Sequence, residues 1–224
     1  MTQRLSLLYM NLALLILFAM SGAAQATPIF SNFGVGYSYD TTTGLYVGDG
    51  NLDGSANFAQ ASAFTAGFNA NLGSIVIALS DVFGQTDPIT VAFTSDSGSN
   101  TPGSLLESFT IAANTLGSFG DNNPALTLNS FLHPFLISGT QYWVSASTSL
   151  ANTIAWNFNN TGDLINPNVQ SQSLDGGITW GAPFGNTRGV FEVNPVPEPG
   201  TLALLAGGFL GLRRRHLREK AKCS

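Results

Sequence analysis

The sequence predicts an all-β protein whose middle forms one two-sheet β-sandwich or jelly-roll-like domain. Three observations lead there. Short β-prone segments with period-2 alternation recur along the middle of the chain at a spacing of about 10 to 15 residues, the pattern of an all-β sandwich or barrel. No segment there sustains a 3.6-residue apolar stripe. The chain is punctuated by 25 Gly and 10 Pro in 224 residues, which end strands and open turns.

The elements follow in order. In residues 1–26, Arg4 lies in a short polar head, and the apolar run from Leu5 to Met20 is interrupted only by Ser6 and Asn11. Small residues then end in Ala24-x-Ala26, the side chains a signal peptidase accepts, so a signal peptide cut after Ala26 is expected. The alternative is an uncleaved amphipathic or membrane helix. Export implies an oxidising compartment, yet the sole cysteine is Cys223, so no intrachain disulfide exists and the core must hold the fold.

From residue 27 to 194 the clearest strand patterns are Ile75-x-Ile77-x-Leu79, Ile89-x-Val91-x-Phe93, Leu105-x-Glu107-x-Phe109-x-Ile111, Ala125 to Leu128, Tyr142 to Ala146, Ile154-x-Trp156-x-Phe158 and Val190 to Val193. Each is bounded by Gly, Asn, Asp, Ser or Pro. Two sheets packed face to face bury one side of every strand. The opposite sides carry Ser, Thr, Asn and Gln, so the surface is polar but nearly uncharged. Thr101-Pro102-Gly103 is a turn signal, and Asp175-Gly176-Gly177 is hairpin chemistry.

Charge narrows the function. Charged residues make up only 9% of the chain, against roughly 25% in ordinary soluble proteins. Between Thr27 and Glu198 there is one basic residue, Arg188, against twelve acidic ones, for a net charge of −11. Phosphate neutralisation needs a basic face, so nucleic-acid binding is excluded as a function class.

Residues 195–224 form a separate signal. Val196-Pro197-Glu198-Pro199-Gly200 leads into an apolar run over 201–212 and a basic tail over 213–222 that opens with Arg213, Arg214 and Arg215. Prolines end the domain, the run can enter a bilayer, and arginines prefer the cytoplasmic side. Twelve helical residues span about 18 Å, short of the roughly 30 Å hydrocarbon layer, so the segment makes a poor permanent anchor. It closely resembles the PEP-CTERM sorting signal of exported bacterial proteins. The resemblance implies recognition and processing by an exosortase at Pro197, Glu198 and Pro199, with the arginines halting translocation through the inner membrane.

A second resemblance covers most of residues 30 to 194. It rests on Phe58-Ala59-Gln60, Leu72-Gly73-Ser74-Ile75, Thr94-Ser95-Asp96, Thr101 to Phe109, His133-Pro134, Gly139 to Trp143, Ala155-Trp156-Asn157 and Ser173 to Trp180. This order is similar to the choice-of-anchor R domain, found on exported bacterial proteins. That resemblance implies an architecture and a location but no catalytic residues. Ser173-x-Asp175-Gly176-Gly177-x-Thr179-Trp180 is also similar to the Asp box of propeller proteins. A propeller needs one copy per blade, so a single copy reads as a braced hairpin.

Candidate chemistry is sparse. Asp49, Asn51 and Asp53 in Asp49-Gly50-Asn51-Leu52-Asp53-Gly54 fit the opening of a calcium loop, with oxygens at alternating positions and Gly at the turn. The twelfth position is Gln60 rather than Glu and no helices flank it, so the choice lies between a looser calcium site and a plain turn; Ca2+ is the one candidate cofactor. His133, followed by Pro134, has no partner pattern for nucleophilic catalysis, and zinc lacks ligands. Trp143 and Tyr142 are the candidate glycan-stacking residues, among aromatics that include Trp156, Trp180, Tyr37, Tyr39 and Tyr46. Trp156 alternates with Ile154 and Phe158, which places it in the core.

The expected function is a non-enzymatic exported protein, cut by signal peptidase and exosortase and displayed or released within an extracellular polysaccharide matrix or biofilm. Two rivals come from other classes. A carbohydrate-binding module requires exposed aromatics, and a secreted glycoside hydrolase requires two facing carboxylates.

Overall fold

A computed structural model describes residues 27–50, 52–162, 169–184 and 187–197. The expected signal peptide, Asn51, Glu198, Pro199, the apolar run 201–212 and Arg213, Arg214 and Arg215 lie outside the described residues.

Among the described residues the protein is all-β, without a helix. The strands are β1 (Phe30–Ser31), β2 (Gly44–Asp49), β3 (Asn57–Thr65), β4 (Ala70–Ile77), β5 (Leu79–Asp81), β6 (Ile89–Asp96), β7 (Pro102–Ile111), β8 (Leu126–Asn129), β9 (Phe135–Leu136), β10 (Gln141–Ser147), β11 (Thr153–Asn157), β12 (Gln170–Ser173) and β13 (Phe191–Pro195). One sheet runs β1-β13-β4-β8, with β9 also paired to β4. The other runs β5-β11-β2-β3-β10-β6-β7, with β12 also paired to β3. Every strand pairing is antiparallel. The sandwich-like architecture expected from the alternation is present.

The core lies between the sheets. Leu72, Ile75 and Ile77 of β4 and Phe191 and Val193 of β13 meet Ile89, Val91 and Phe93 of β6, Tyr142, Val144 and Ala146 of β10, and Ile154 and Trp156 of β11. Aromatic rings tie the two layers together. Phe64 stacks on Phe93 at 6.2 Å and meets Phe191 edge-on at 5.9 Å, while Trp156 meets Phe191 edge-on at 5.9 Å. Trp156 Nε1 donates to Val190 O at 2.9 Å, so its one polar atom is paired where no water reaches.

The structure departs from the expected elements in three places. Ile75, Ile77 and Leu79 do not share one strand: the chain leaves the first sheet after Ile77 and enters the second at Leu79, so the shared alternation spans a crossover. Leu105 does not point inward with Glu107, Phe109 and Ile111. A bulge pairs Phe93 with Glu107 but Thr94 with Leu105, which leaves Leu106 as the extra residue and turns Leu105 to solvent. Finally, β3 (NFAQASAFT) shows no polar face because it is covered on both sides. Phe64 faces the main core, and Ala61 and Ala63 lie under a second cluster with Trp143 and Val169.

Candidate functional site

The outer face of the larger sheet explains the aromatic candidates. Ala61 and Ala63 of β3 leave room for a large neighbour, and Trp143, opposite Ala63, fills it under Val169 and Trp180. Trp143 is 0% exposed and its Nε1 donates to Asp96 Oδ1 at 2.8 Å. Tyr142, on the opposite side of β10, is 5% exposed, stacks on Phe93 at 5.6 Å, and its hydroxyl accepts from Ile137 N at 3.0 Å. Neither ring presents a face to a sugar. The glycan-stacking assignment of Trp143 and Tyr142 is therefore corrected: both are packing residues, one in each core. Trp156 lies in the main core as expected.

The cover over Trp143 is a braced hairpin. The Ser173 hydroxyl donates to Asp175 Oδ1 at 2.6 Å and accepts from Gly177 N at 2.8 Å. Asp175 Oδ1 also accepts from Ile178 N at 3.0 Å and Thr179 N at 2.8 Å, and its Oδ2 accepts from the Thr179 hydroxyl at 2.6 Å. Gly176 and Gly177 stand at φ 76° and 98°, in the left-handed region that glycine tolerates. The Ser173 hydroxyl first, then that of Thr179, hold the Asp175 carboxyl far below the usual carboxylate range. The single Asp-box-like copy thus acts as a structural brace that seats Trp180 on the second cluster. Asp175→Ala is expected to accelerate amide hydrogen exchange at Ile178 and Thr179 while leaving the rates of β6 and β13 unchanged. Unaltered exchange in the hairpin would show that the carboxylate braces nothing.

The candidate calcium loop opens where β2 ends. Asp49 Oδ1 and Oδ2 both lie 3.1 Å from Gly54 N, and Asp53 Oδ1 accepts from Ser55 N at 2.9 Å. Ser55, through side chain and then backbone, lowers the Asp53 carboxyl pKa. These are turn contacts: each acid takes up an amide of its own loop. Asn51, the third candidate ligand, lies outside the described residues.

Among the described residues two carboxylates, Glu107 and Glu192, are buried, and both are engaged. Glu192 Oε1 accepts from the Tyr37 hydroxyl at 2.8 Å and Asn194 Nδ2 at 2.9 Å. Glu107, on β7, reaches the loop after β8. Its Oε2 accepts from the Ser130 hydroxyl at 2.5 Å, and its Oε1 from Phe131 N at 2.6 Å and Leu132 N at 3.1 Å. Burial pushes the Glu107 carboxyl up, but those hydrogen bonds and the nearby His133 outweigh it and bring it below its ordinary value. His133 sits at φ 49° in the same turn, with Nδ1 2.9 Å from Leu72 O. Sequence reasoning found no catalytic partner pattern for His133 and missed the Glu107 clamp. The available signal was one acid among inward-facing apolar residues of a strand. Among the described residues no three His, Cys, Asp or Glu side chains gather as a metal site.

The last described feature is where the chain leaves the domain. β13 runs beside β4 to Pro195, and Val196 N donates to Asn71 O at 2.9 Å. A Cβ at Gly73 would collide with the backbone of Pro195, so the close approach of these strands requires glycine there. Pro197 follows, exposed, as the first residue of the Pro-Glu-Pro triplet. Residues 195–218 match the PEP-CTERM protein-sorting motif. The motif supports targeting to an exosortase, and with it a secreted protein that transits the membrane and becomes surface-exposed. Comparison with curated proteins and with solved structures finds no match for the chain. Among the described residues no helix is long and apolar enough to cross a membrane, and the 201–212 run lies outside them.

Proposed function

We propose that this chain is a non-enzymatic surface or matrix protein: a choice-of-anchor R-type β-sandwich module, exported by its signal peptide, held in the inner membrane by residues 201–212, and cut by an exosortase near Pro197, Glu198 and Pro199. Its role is structural, within an extracellular polysaccharide matrix or biofilm. The observation that carries the reading is the PEP-CTERM motif over residues 195–218, placed where the last strand ends. Removing the tail beyond that point breaks no described strand pairing. The start of the domain agrees with a cut after Ala26, because Ile29 N already donates to Val193 O at 2.8 Å.

The module's chemistry fits a scaffold. Its three tryptophans lie in or against two cores, and its buried carboxylates Glu107 and Glu192 accept hydrogen bonds from neighbouring loops and strands. Expression in a host with an exosortase is expected to yield a surface or released form whose intact mass begins at Thr27 and lacks the basic tail. Glu198→Ala in the same host is expected to leave the tail attached. A wild-type chain that keeps residues 213–222 in such a host would refute the reading.

A further inference from the structure

We propose that the end of the domain from which the chain leaves is a lipid-contacting face, resting on the outer surface of the bilayer while the tail is still attached. The inference rests on the membrane-transiting reading above and adds to it a surface that the domain itself supplies.

Backbone pairing brings three segments together at this end. The connection from β3 to β4 carries Phe68. The stretch from Phe131 to Ile137 lies against the start of β4, where Asn71 pairs with Phe135, Leu72 N donates to Pro134 O at 3.0 Å, and Ser138 N donates to Asn69 Oδ1 at 2.7 Å. The departing strand lies on the other side of β4, with Val196 N on Asn71 O. Leu136 is buried in the core, and the same alternation turns Phe135 and Ile137 outward. Phe131 is 87% exposed and Leu132 64% exposed. They are held that way, because the Glu107 carboxylate takes both of their backbone amides. A buried charge that pins two large apolar side chains in solvent is a costly arrangement for a protein that leaves them in water.

The occupant follows from where the chain goes next. Thr201, the first of the apolar run, lies five positions after Val196, and five residue steps extend at most about 18 Å. Chain connectivity therefore keeps the start of the apolar run within that distance of Val196, whose amide bonds Asn71, the strand partner of Phe135. Residues 66–74, 128–138 and 193–197 contain no Asp, Glu, Lys or Arg, while the domain as a whole is strongly acidic. On the second sheet, Glu107 is buried beneath the face and taken up by Ser130, Phe131 and Leu132, and Asp96 is occupied by Trp143 Nε1, Gln141 Nε2 and Gly98 N. An uncharged apolar face avoids the repulsion that anionic lipid would exert on the remaining acids, and Phe and Leu are side chains that insert at the interface.

The test uses the full chain carrying Cys223→Ser and a single environment-sensitive fluorophore, at either Phe131→Cys or Ile178→Cys. Both sites are exposed, so neither change threatens the core. Ile178 belongs to the braced hairpin beside Asn57, at the other end of β3, about 26 Å away at 3.3 Å per residue. The protein is reconstituted with phosphatidylethanolamine and phosphatidylglycerol vesicles bearing an acyl-chain quencher. Emission from position 131 should shift to the blue and be quenched several-fold more than emission from position 178. Equal, water-like emission from both sites in protein that floats with the vesicles overturns the lipid-contacting face and leaves the membrane reading standing. A concentration-dependent blue shift at position 131 without vesicles assigns the face to a second copy and overturns the proposal as well. Protein that does not float at all refutes the membrane reading, and this inference with it.

Discussion

Trp143→Ala is expected to cost about 3–5 kcal/mol of folding stability, the range for removing a large aromatic from a core. For a domain of this size that lowers the melting midpoint by roughly 10 °C. The indole is fully buried on the outer face of the larger sheet, under Val169 and Trp180. Its floor is Ala61 and Ala63, whose short side chains cannot move in to fill the space it leaves. The loss also removes the Nε1 donor to Asp96, although that carboxylate keeps Gln141 Nε2 at 3.1 Å and Gly98 N at 2.7 Å. Trp143→Phe separates the two effects: it keeps most of the ring and should cost about 1–2 kcal/mol, the range for one buried hydrogen bond plus a small cavity. Urea denaturation of the purified protein followed by tyrosine fluorescence reads both variants. A Trp143→Ala protein as stable as the parent would mean that the second cluster contributes nothing, and would reopen the question of what the indole does.

That second cluster also marks the limit of what could be read in advance. Strands with one covered face announce themselves by alternation, as Ile89, Val91 and Phe93 do in β6. β3 does not, because Ala59, Ala61 and Ala63 lie under a hairpin while Gln60, Ser62 and Phe64 face the main core. Alternating small and polar residues covered on both sides look like a loop. β12 (QSQS) was hidden for the same reason: its burial comes from pairing with β3, a contact more than a hundred residues away in sequence. The sorting motif was legible because its parts are contiguous. Trp143 and Tyr142 were misjudged because aromatic content says nothing of which face is covered: Trp143 is covered by residues 169 to 180 folding back, and Tyr142 by the main core between the sheets. The hairpin brace was readable from Ser173 to Trp180 because its hydrogen bonds are local, spanning four residues at most.

Glu107→Ala is expected to destabilise the domain by about 2–4 kcal/mol, as removing one member of a buried charged network does. The carboxylate is 4% exposed and receives the Ser130 hydroxyl and the Phe131 and Leu132 amides. Those donors have no other acceptor built to meet them, and the Ser130 hydroxyl also accepts from His133 N at 2.9 Å. The turn therefore loses its anchor at several points at once. Glu107→Gln keeps the volume but sets an NH2 group against donors on one side, so it should recover only part of the loss. The pH dependence has a definite sign. Burial opposes ionisation, but the hydrogen bonds prevail and the folded carboxyl lies below its ordinary value of 4.5. The unfolded chain then takes up a proton before the folded one does. The contribution is fully present above pH 4.5 and is lost as pH falls through the lower folded value. Parent and Glu107→Gln stabilities, measured in urea from pH 7 down to pH 3 or so, should therefore converge on the acid side. Parallel curves would show that the clamp does not ionise. Equal stability at neutral pH would show that Phe131 and Leu132 are held in solvent by something other than this carboxylate.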